Sequence, residues 1–376
     1  MFSTNKDTEF DAMNNISRIL KYCQRELFPT LEDDFGVLDK PLRDIICAIE
    51  LTDLEKHVRR NLTGSRGRPL QNRSALARAF IAKAVLKLPD TRSLLRYLKA
   101  CPAARKICGW YRANEVPSES TFSRAFAEFA HANVAGNLHK EMILDLYQNR
   151  IVGHISRDST DIHVRERPQP KPPTPKHPKR KVGRPRKGEE RPPKEPTRLE
   201  RQPSMSLSEM LDDLPKDCNV GSKTNSKGKK CFWIGYRFHV DFADGEIPIS
   251  CVLTSASVHD SQVAIPLSLV SSERVKNLYD LMDAAYDMEQ IHEQSRALGH
   301  VPIIDHNPRR QSEKLQMDPA KARRYNVRTT AERGFSRLKD SFGARSVRVR
   351  GHTKVFAHLM FGVLALTIDQ ISNLLR

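Results

Sequence analysis

One stretch constrains this chain more than any other: Tyr325-Asn326-Val327-Arg328-Thr329-Thr330-Ala331-Glu332-Arg333-Gly334-Phe335-Ser336-Arg337-Leu338-Lys339. Its spacing predicts a helix. At about 100° per residue, Tyr325, Arg328, Glu332 and Lys339 fall on one narrow stripe. Val327, Ala331, Phe335, Leu338 and Phe342 fall on an adjoining apolar stripe. One edge of such a helix docks into a core, and beside it a carboxylate stands between two cations. That grouping suits a site where a hard metal ion meets phosphate. A surface helix with intrahelical ion pairs has the same local pattern, so its meaning depends on acids elsewhere in the chain.

The charge balance points to the partner. Against 45 Asp and Glu stand 63 Lys and Arg, a net +18 over 376 residues, which implies a polyanion, nucleic acid first. An anionic membrane surface would call for a basic amphipathic helix, and the sequence offers none that fits. The most apolar run, Leu359 to Ile368, is too short to span a bilayer. The 7 cysteines are scattered, odd in number and without CxxC pairs, which argues for reduced thiols in the cytoplasm rather than disulfides or zinc.

Along the chain, residues 1–63 read as a helical segment of unreadable function. Residues 64–150 read as a second helical unit. Ser74 to Leu88 is apolar at helical spacing, Pro89-Asp90 breaks it, and Pro117-Ser118-Glu119-Ser120-Thr121 starts a helix with Phe122, Phe126 and Phe129 on one face. Short helices with a basic, Ser/Thr-rich final N-terminus suit a helix-turn-helix-like DNA reader; a plain helical bundle has the same periodicity. His154 to Val164 reads as a strand. Composition then changes: between Pro168 and Pro203 lie 11 of the 23 prolines. Residues 165–230 therefore read as a disordered basic insert, with Leu207 to Leu214 suited to one helical turn or two. Within it, Gly183-Arg184-Pro185-Arg186 resembles an AT-hook, with Arg184 and Arg186 placed for a narrow minor groove; a generic basic linker fits as well.

Beyond the insert come a hairpin (Phe232 to Phe242, turn at Asp244-Gly245, Ile247 to Thr254), a helix from about Gln262, and a strand from Lys276 to Met282. A further helix from about Met288, a strand at Val301–Ile304, the signature helix and a closing helix complete the order. His259-Asp260 is read as a cap of the Gln262 helix, with no chemistry assigned.

The pattern Y-x-x-R-x-x-x-E-x-x-x-x-x-x-K stands here without a gap. It resembles the signature of DDE transposases from bacterial and archaeal insertion sequences, the insertion-sequence-four group and its relatives. The blocks Asp158-Ser159-Thr160 and Asp283-Ala284-Ala285-Tyr286-Asp287 extend the resemblance over 151–376 apart from the insert, and more loosely over 64–150. The implied class is α/β: an RNase H-like mixed-sheet catalytic domain, an N-terminal all-α DNA-binding domain and the insert. Such folds take one Asp from the first strand, a second from the end of the fourth and a third carboxylate from a helix after the fifth, here Asp158, Asp283 and Glu332. Asp161 and Asp287 are their nearest rivals.

Three close carboxylates repel one another, and two Mg²⁺ ions, with Mn²⁺ as a substitute, relieve this while assisting in-line displacement at phosphorus. The resemblance gives Arg328 and Lys339 phosphate contacts and Tyr325 an orienting or stacking role. It implies a metal-dependent enzyme that binds the inverted repeats of its element, cuts, and joins strands into target DNA. It also implies a dimer on paired ends and a cytoplasmic, nucleoid-associated location. Two other readings fit parts of the sequence: a catalytically inactive AT-hook-type DNA-binding protein, and an RNase H-fold nuclease without strand transfer.

Overall fold

The computed structural model describes residues 15–58, 71–148, 150–168, 195–224, 228–308, 315–345 and 347–374. At its centre is a mixed sheet of six strands: β1 (Ile151–His163), β2 (Asn219–Thr224), β3 (Lys230–Ala243), β4 (Ile247–Ser255), β5 (Lys276–Met282) and β6 (Val301–Ile304). β1 lies between β3, which runs antiparallel to it, and β5, which runs parallel; β6 continues parallel on the far side of β5. The outer edge of β3 is shared. β2 pairs with its first half and β4 with its second. The order β4-β3-β1-β5-β6 is the hairpin-plus-crossover arrangement expected of an RNase H-like sheet.

Chemistry dictates the two crossovers. Parallel neighbours cannot be joined by a tight turn and need a long connection, usually a helix. The helix Ser261–Ser272 joins β4 to β5, and Glu289–Ala297 joins β5 to β6. The Ser261–Ser272 helix covers one face of the sheet with Val263, Ala264, Ile265 and Leu267 buried. The opposite face receives the signature helix, where the Phe335 ring meets Phe242 of β3 edge-on at 5.2 Å.

The signature stretch is not one helix. Pro319–Tyr325 is a short helix, Asn326–Arg328 is a 3₁₀ turn, and Thr329–Ser341 is the long helix. The run Val327, Thr329, Thr330 is rich in β-branched residues, which are weaker helix formers, and 3₁₀ turns commonly mark such junctions. The apolar stripe survives the break: Ala331, Phe335, Leu338 and Phe342 are buried.

The N-terminal helices pack against the end of the chain. Arg73–Val85, Glu119–His131 and Val134–Tyr147 pack around the closing helix His352–Leu374, in one continuous core that also takes in Ile16, Ile45 and Ile46. The Phe80 ring lies 5.1 Å from Phe126 and 5.9 Å from Phe361 of the closing helix. That helix runs well past the Leu359 to Ile368 stretch and is long and apolar enough to cross a bilayer, yet its apolar residues from Val355 to Ile371 are buried within the protein.

Part of the insert is ordered beyond the helical turn expected at Leu207 to Leu214. Residues 195–224 carry structure: short helices at Arg198–Arg201 and Leu207–Asp213, then β2. Capping boxes start both helices, Thr197 with Glu200 and Ser206 with Glu209. The apolar residues there are too few to make a core of their own. Leu199 and Met210 instead join a cluster with Ala264 and Ile265, and Leu214 packs with Val263 and Leu267. The AT-hook-like segment with Arg184 and Arg186 lies outside the described residues.

Candidate active site

Strand register brings the first two acids together. β1 and β5 run parallel with Ser156 beside Leu281. Two residues further along each chain, on the same pleat face, stand Asp158 and Asp283. Asp158 is still within β1, opposite Val240 of β3. Asp283 follows the last residue of β5 and accepts a 2.9 Å hydrogen bond from the Ala285 backbone N–H, capping the 3₁₀ turn Ala284–Tyr286. It is a cap and also a neighbour of Asp158.

The signature helix supplies the third. Arg328 ends the 3₁₀ turn and reaches both ways. Its Nη2 donates to Glu332 Oε1 at 2.8 Å, and its Nη1 lies 3.5 Å from Asp158 Oδ2. Arg328 is 18% exposed and Glu332 57%, so the guanidinium is enclosed while the glutamate faces solvent. The Ser156 hydroxyl and the Val327 carbonyl, 3.5 Å apart, tie the turn to β1.

The electrostatics fit crowded acids. The Asp158 carboxyl is pushed up to about 7, chiefly by burial, then by the charges of Asp283 and Asp260; the Ser159 N–H, 2.7 Å from Asp158 Oδ1, and Arg328 pull the other way. Asp283 is raised as well, again by burial first and then by Asp260. The carboxylates remain compatible with the fold because a cation stands among them.

Comparison with known families decides what this arrangement belongs to. A family model described as a transposase DDE domain matches residues 153–368, more than half of the chain. A second, described as a transposase domain (DUF772), matches residues 29–128. The chain belongs to the DDE transposase family. No protein of curated function matches it.

Within this DDE transposase the rival acids have other duties. Asp161 is held by Lys223 at 2.6 Å, His163 at 2.8 Å and Lys339 at 3.2 Å. Burial opposes its ionisation, but the hydrogen bond from Lys223 and the charges of Lys339 and Lys223 keep its carboxyl well below the usual range. Lys339 is thereby paired with Asp161. Asp287 fastens a loop: it accepts from the Asn307 N–H at 2.9 Å and lies 3.1 Å from His292 Nε2. The Tyr325 ring lies under the Arg328 guanidinium, 5.7 Å from its carbon. Trp233 is a core residue, 5% exposed, donating to the Tyr236 carbonyl at 3.1 Å.

Two features of this transposase's site went unread in the sequence. One is Asp260. Its backbone is already helical (φ −57°, ψ −38°) and its side chain makes no cap bond. Nδ1 of His259 accepts from the Ser261 N–H at 3.3 Å instead. Asp260 turns toward β1 and β3. The other is Tyr286, whose hydroxyl is buried without a partner among the described residues and is pressed upward in pKa by burial and by the charges of Asp260, Asp158 and Asp283. A histidine–aspartate pair before a helix looks like a cap, and a tyrosine after a strand like core; neither carries a local signal of the site.

The donor set suits a hard divalent ion: the carboxylate oxygens of Asp158 and Asp283, raised in proton affinity by burial first and by neighbouring acids second. Among the described residues no three ligating side chains converge on one point. Arg328 stands between Asp158 and Glu332.

Proposed function

We propose that this transposase binds the terminal inverted repeats of its own element, cleaves at the element ends and joins the 3′-hydroxyls to target DNA. Asp158, Asp283 and Glu332 are its catalytic and metal-holding residues, with two Mg²⁺ ions as cofactor and Mn²⁺ as substitute. The observation that supports this reading is the register that sets Asp158, within β1, beside Asp283, just past the end of β5, with Glu332 linked to Asp158 through Arg328. Bound there, divalent ions supply an activated nucleophile and stabilise the leaving oxygen of an in-line displacement.

The chain's own residues do the rest. Asp158, beside Asp283 and tied to Glu332 through Arg328, would hold the ions together with those two acids. Glu332 is exposed and one turn from Arg328, so a rotamer change brings it over Asp158 once Arg328 is drawn to a DNA phosphate. Tyr325 orients that guanidinium from below. Lys339, held by Asp161 in the free protein, takes a second phosphate. The N-terminal helices, Arg184 and Arg186 add contacts to double-stranded DNA, and two copies pair the two ends. The protein works in the cytoplasm on nucleoid DNA and needs no membrane.

The test uses DNA spanning the ends of the element, incubated with purified protein and Mg²⁺, with nicks mapped to the nucleotide. Metal-dependent nicks at the repeat boundaries and joined products, both absent in Asp158→Ala, are expected. Nicks without joining would reduce the activity to that of a nuclease. Tight binding with no cutting in Mg²⁺ or Mn²⁺ would leave a DNA-binding protein only.

A further inference from the structure

Asp260 lies outside the three acids, and capping does not explain it. Its Oδ1 accepts from the Ser159 hydroxyl at 2.7 Å and from Arg237 Nη1 at 2.9 Å, and lies 3.6 Å from Nδ1 of the fully buried His239. These contacts all fall on one oxygen; Oδ2 has no partner among the described residues. Ser159 makes the link to the acids. Its hydroxyl donates to Asp260, and its backbone N–H donates to Asp158 Oδ1, both at 2.7 Å. One residue therefore ties two carboxylates from opposite pleat faces of β1.

We propose that Asp260 is a positioning residue for the acid site: through Ser159 it fixes the pose of Asp158, and its charge strengthens the hold of Asp158 and Asp283 on a divalent cation. This rests on the reading of those acids as the metal-binding centre. Groups behind a ligand that orient it and add negative charge commonly set metal affinity. The link through Ser159 places Asp260 in that position rather than in an isolated ion pair with Arg237. Its charge is felt at Asp158, at Asp283 and at the Tyr286 hydroxyl.

A purely structural salt bridge and a positioning role predict different measurements. Mn²⁺ alone is titrated into the full-length protein without DNA and followed by electron paramagnetic resonance, with the site defined as the binding lost in Asp158→Ala. Asp260→Asn is expected to weaken that binding about tenfold. Asp260→Glu should recover part of the loss, and Ser159→Ala should weaken binding by a smaller factor because the charge stays. Cleavage by Asp260→Asn should need more Mg²⁺ for half-maximal rate, with the rate at saturation largely restored. Unchanged Mn²⁺ affinity in Asp260→Asn overturns the proposal. If Asp260→Asn does not fold, Ser159→Ala decides, and wild-type affinity there overturns it equally. Absence of any Asp158-dependent Mn²⁺ binding in the wild type would instead bring down the metal reading itself, and this proposal with it.

Discussion

Arg328 and Asp158, 170 positions apart in the chain, stand with guanidinium and carboxylate 3.5 Å apart. Burial alone would leave Asp158 an expensive charge, and Arg328 is the nearest cation to offset it. A divalent ion at Asp158 competes for the same ground. Arg328→Ala should therefore bind Mn²⁺ as tightly as the wild type or a few-fold tighter, while cleavage falls by roughly a hundredfold because a phosphate-stabilising charge is gone. Calorimetric titration and a nicking assay check both halves. A loss of Mn²⁺ affinity would mean that Arg328 organises the acids rather than substituting for the ion.

Glu332 is 57% exposed and touches only Arg328 in the described structure. Its removal should cost the fold little, within about 0.5 kcal/mol, as for most exposed positions. Glu332→Gln should abolish cleavage and leave repeat binding within about twofold. Thermal melting, gel retardation and nicking together test this; parallel loss of binding and cutting contradicts the assignment.

Gly334 lies one residue before Phe335, and a Cβ there would meet the Phe242 ring at 2.4 Å. The glycine lets the signature helix lie close on β3. In an open helix, Gly→Ala gains about 1 kcal/mol. Here overpacking reverses the sign, and Gly334→Ala should destabilise by about 1–3 kcal/mol. Urea unfolding measures it. A stabilised variant would show that the helix can lift away freely.

Under the acid site, on the other pleat face, Arg157 and Asp241 form a buried bidentate pair at 2.9 and 2.7 Å, 2% and 0% exposed. Ser271 adds a 2.6 Å hydrogen bond to Asp241. Removing one partner strands a buried charge, so Arg157→Met should cost about 3–5 kcal/mol. Arg157→Met with Asp241→Leu should regain much of that. A double variant no better than the single would show that the pair supplies more than charge balance.

Two buried histidines set an acid limit. Burial, reinforced by Arg274, lowers His139 to about 3; burial lowers His239 to about 4 against the raising charge of Asp260. Both are neutral in the folded protein below the unfolded value of about 6.5. Their stabilising contribution is complete above about pH 6.5. It falls as pH drops toward 3 to 4, because the unfolded chain takes up protons that the folded one cannot. Asp158, raised toward 7, works in the opposite direction, so Asp158→Asn provides the clean background. Urea unfolding at pH 7, 6 and 5 should show a slope of about 1 kcal/mol per pH unit per histidine, and His139→Gln should remove one histidine's share, leaving those of His239 and of His358, which burial also lowers to about 4.

The sequence by itself carried the strands β1 and β3 to β6 in their chain order and the apolar stripe Ala331, Phe335, Leu338 and Phe342. These are periodic or strand-terminal signals, legible within ten residues or so, and the family model agrees with the reading over residues 153–368. Asp158 could be separated from Asp161 by pleat parity alone.

Tertiary structure decided the rest. The short helices of 195–224 exist because the Ser261–Ser272 helix receives their few apolar side chains, and composition counts residues without knowing what they dock against. The N-terminal helices merge with the closing helix because Phe80, Phe126 and Phe361 fill one space. Arg328 between Asp158 and Glu332, Asp260 behind Asp158, and Arg157 on Asp241 all join residues that are distant in the chain. Charge and hydrogen-bond partners of that kind are chosen by proximity in space, which no local pattern records.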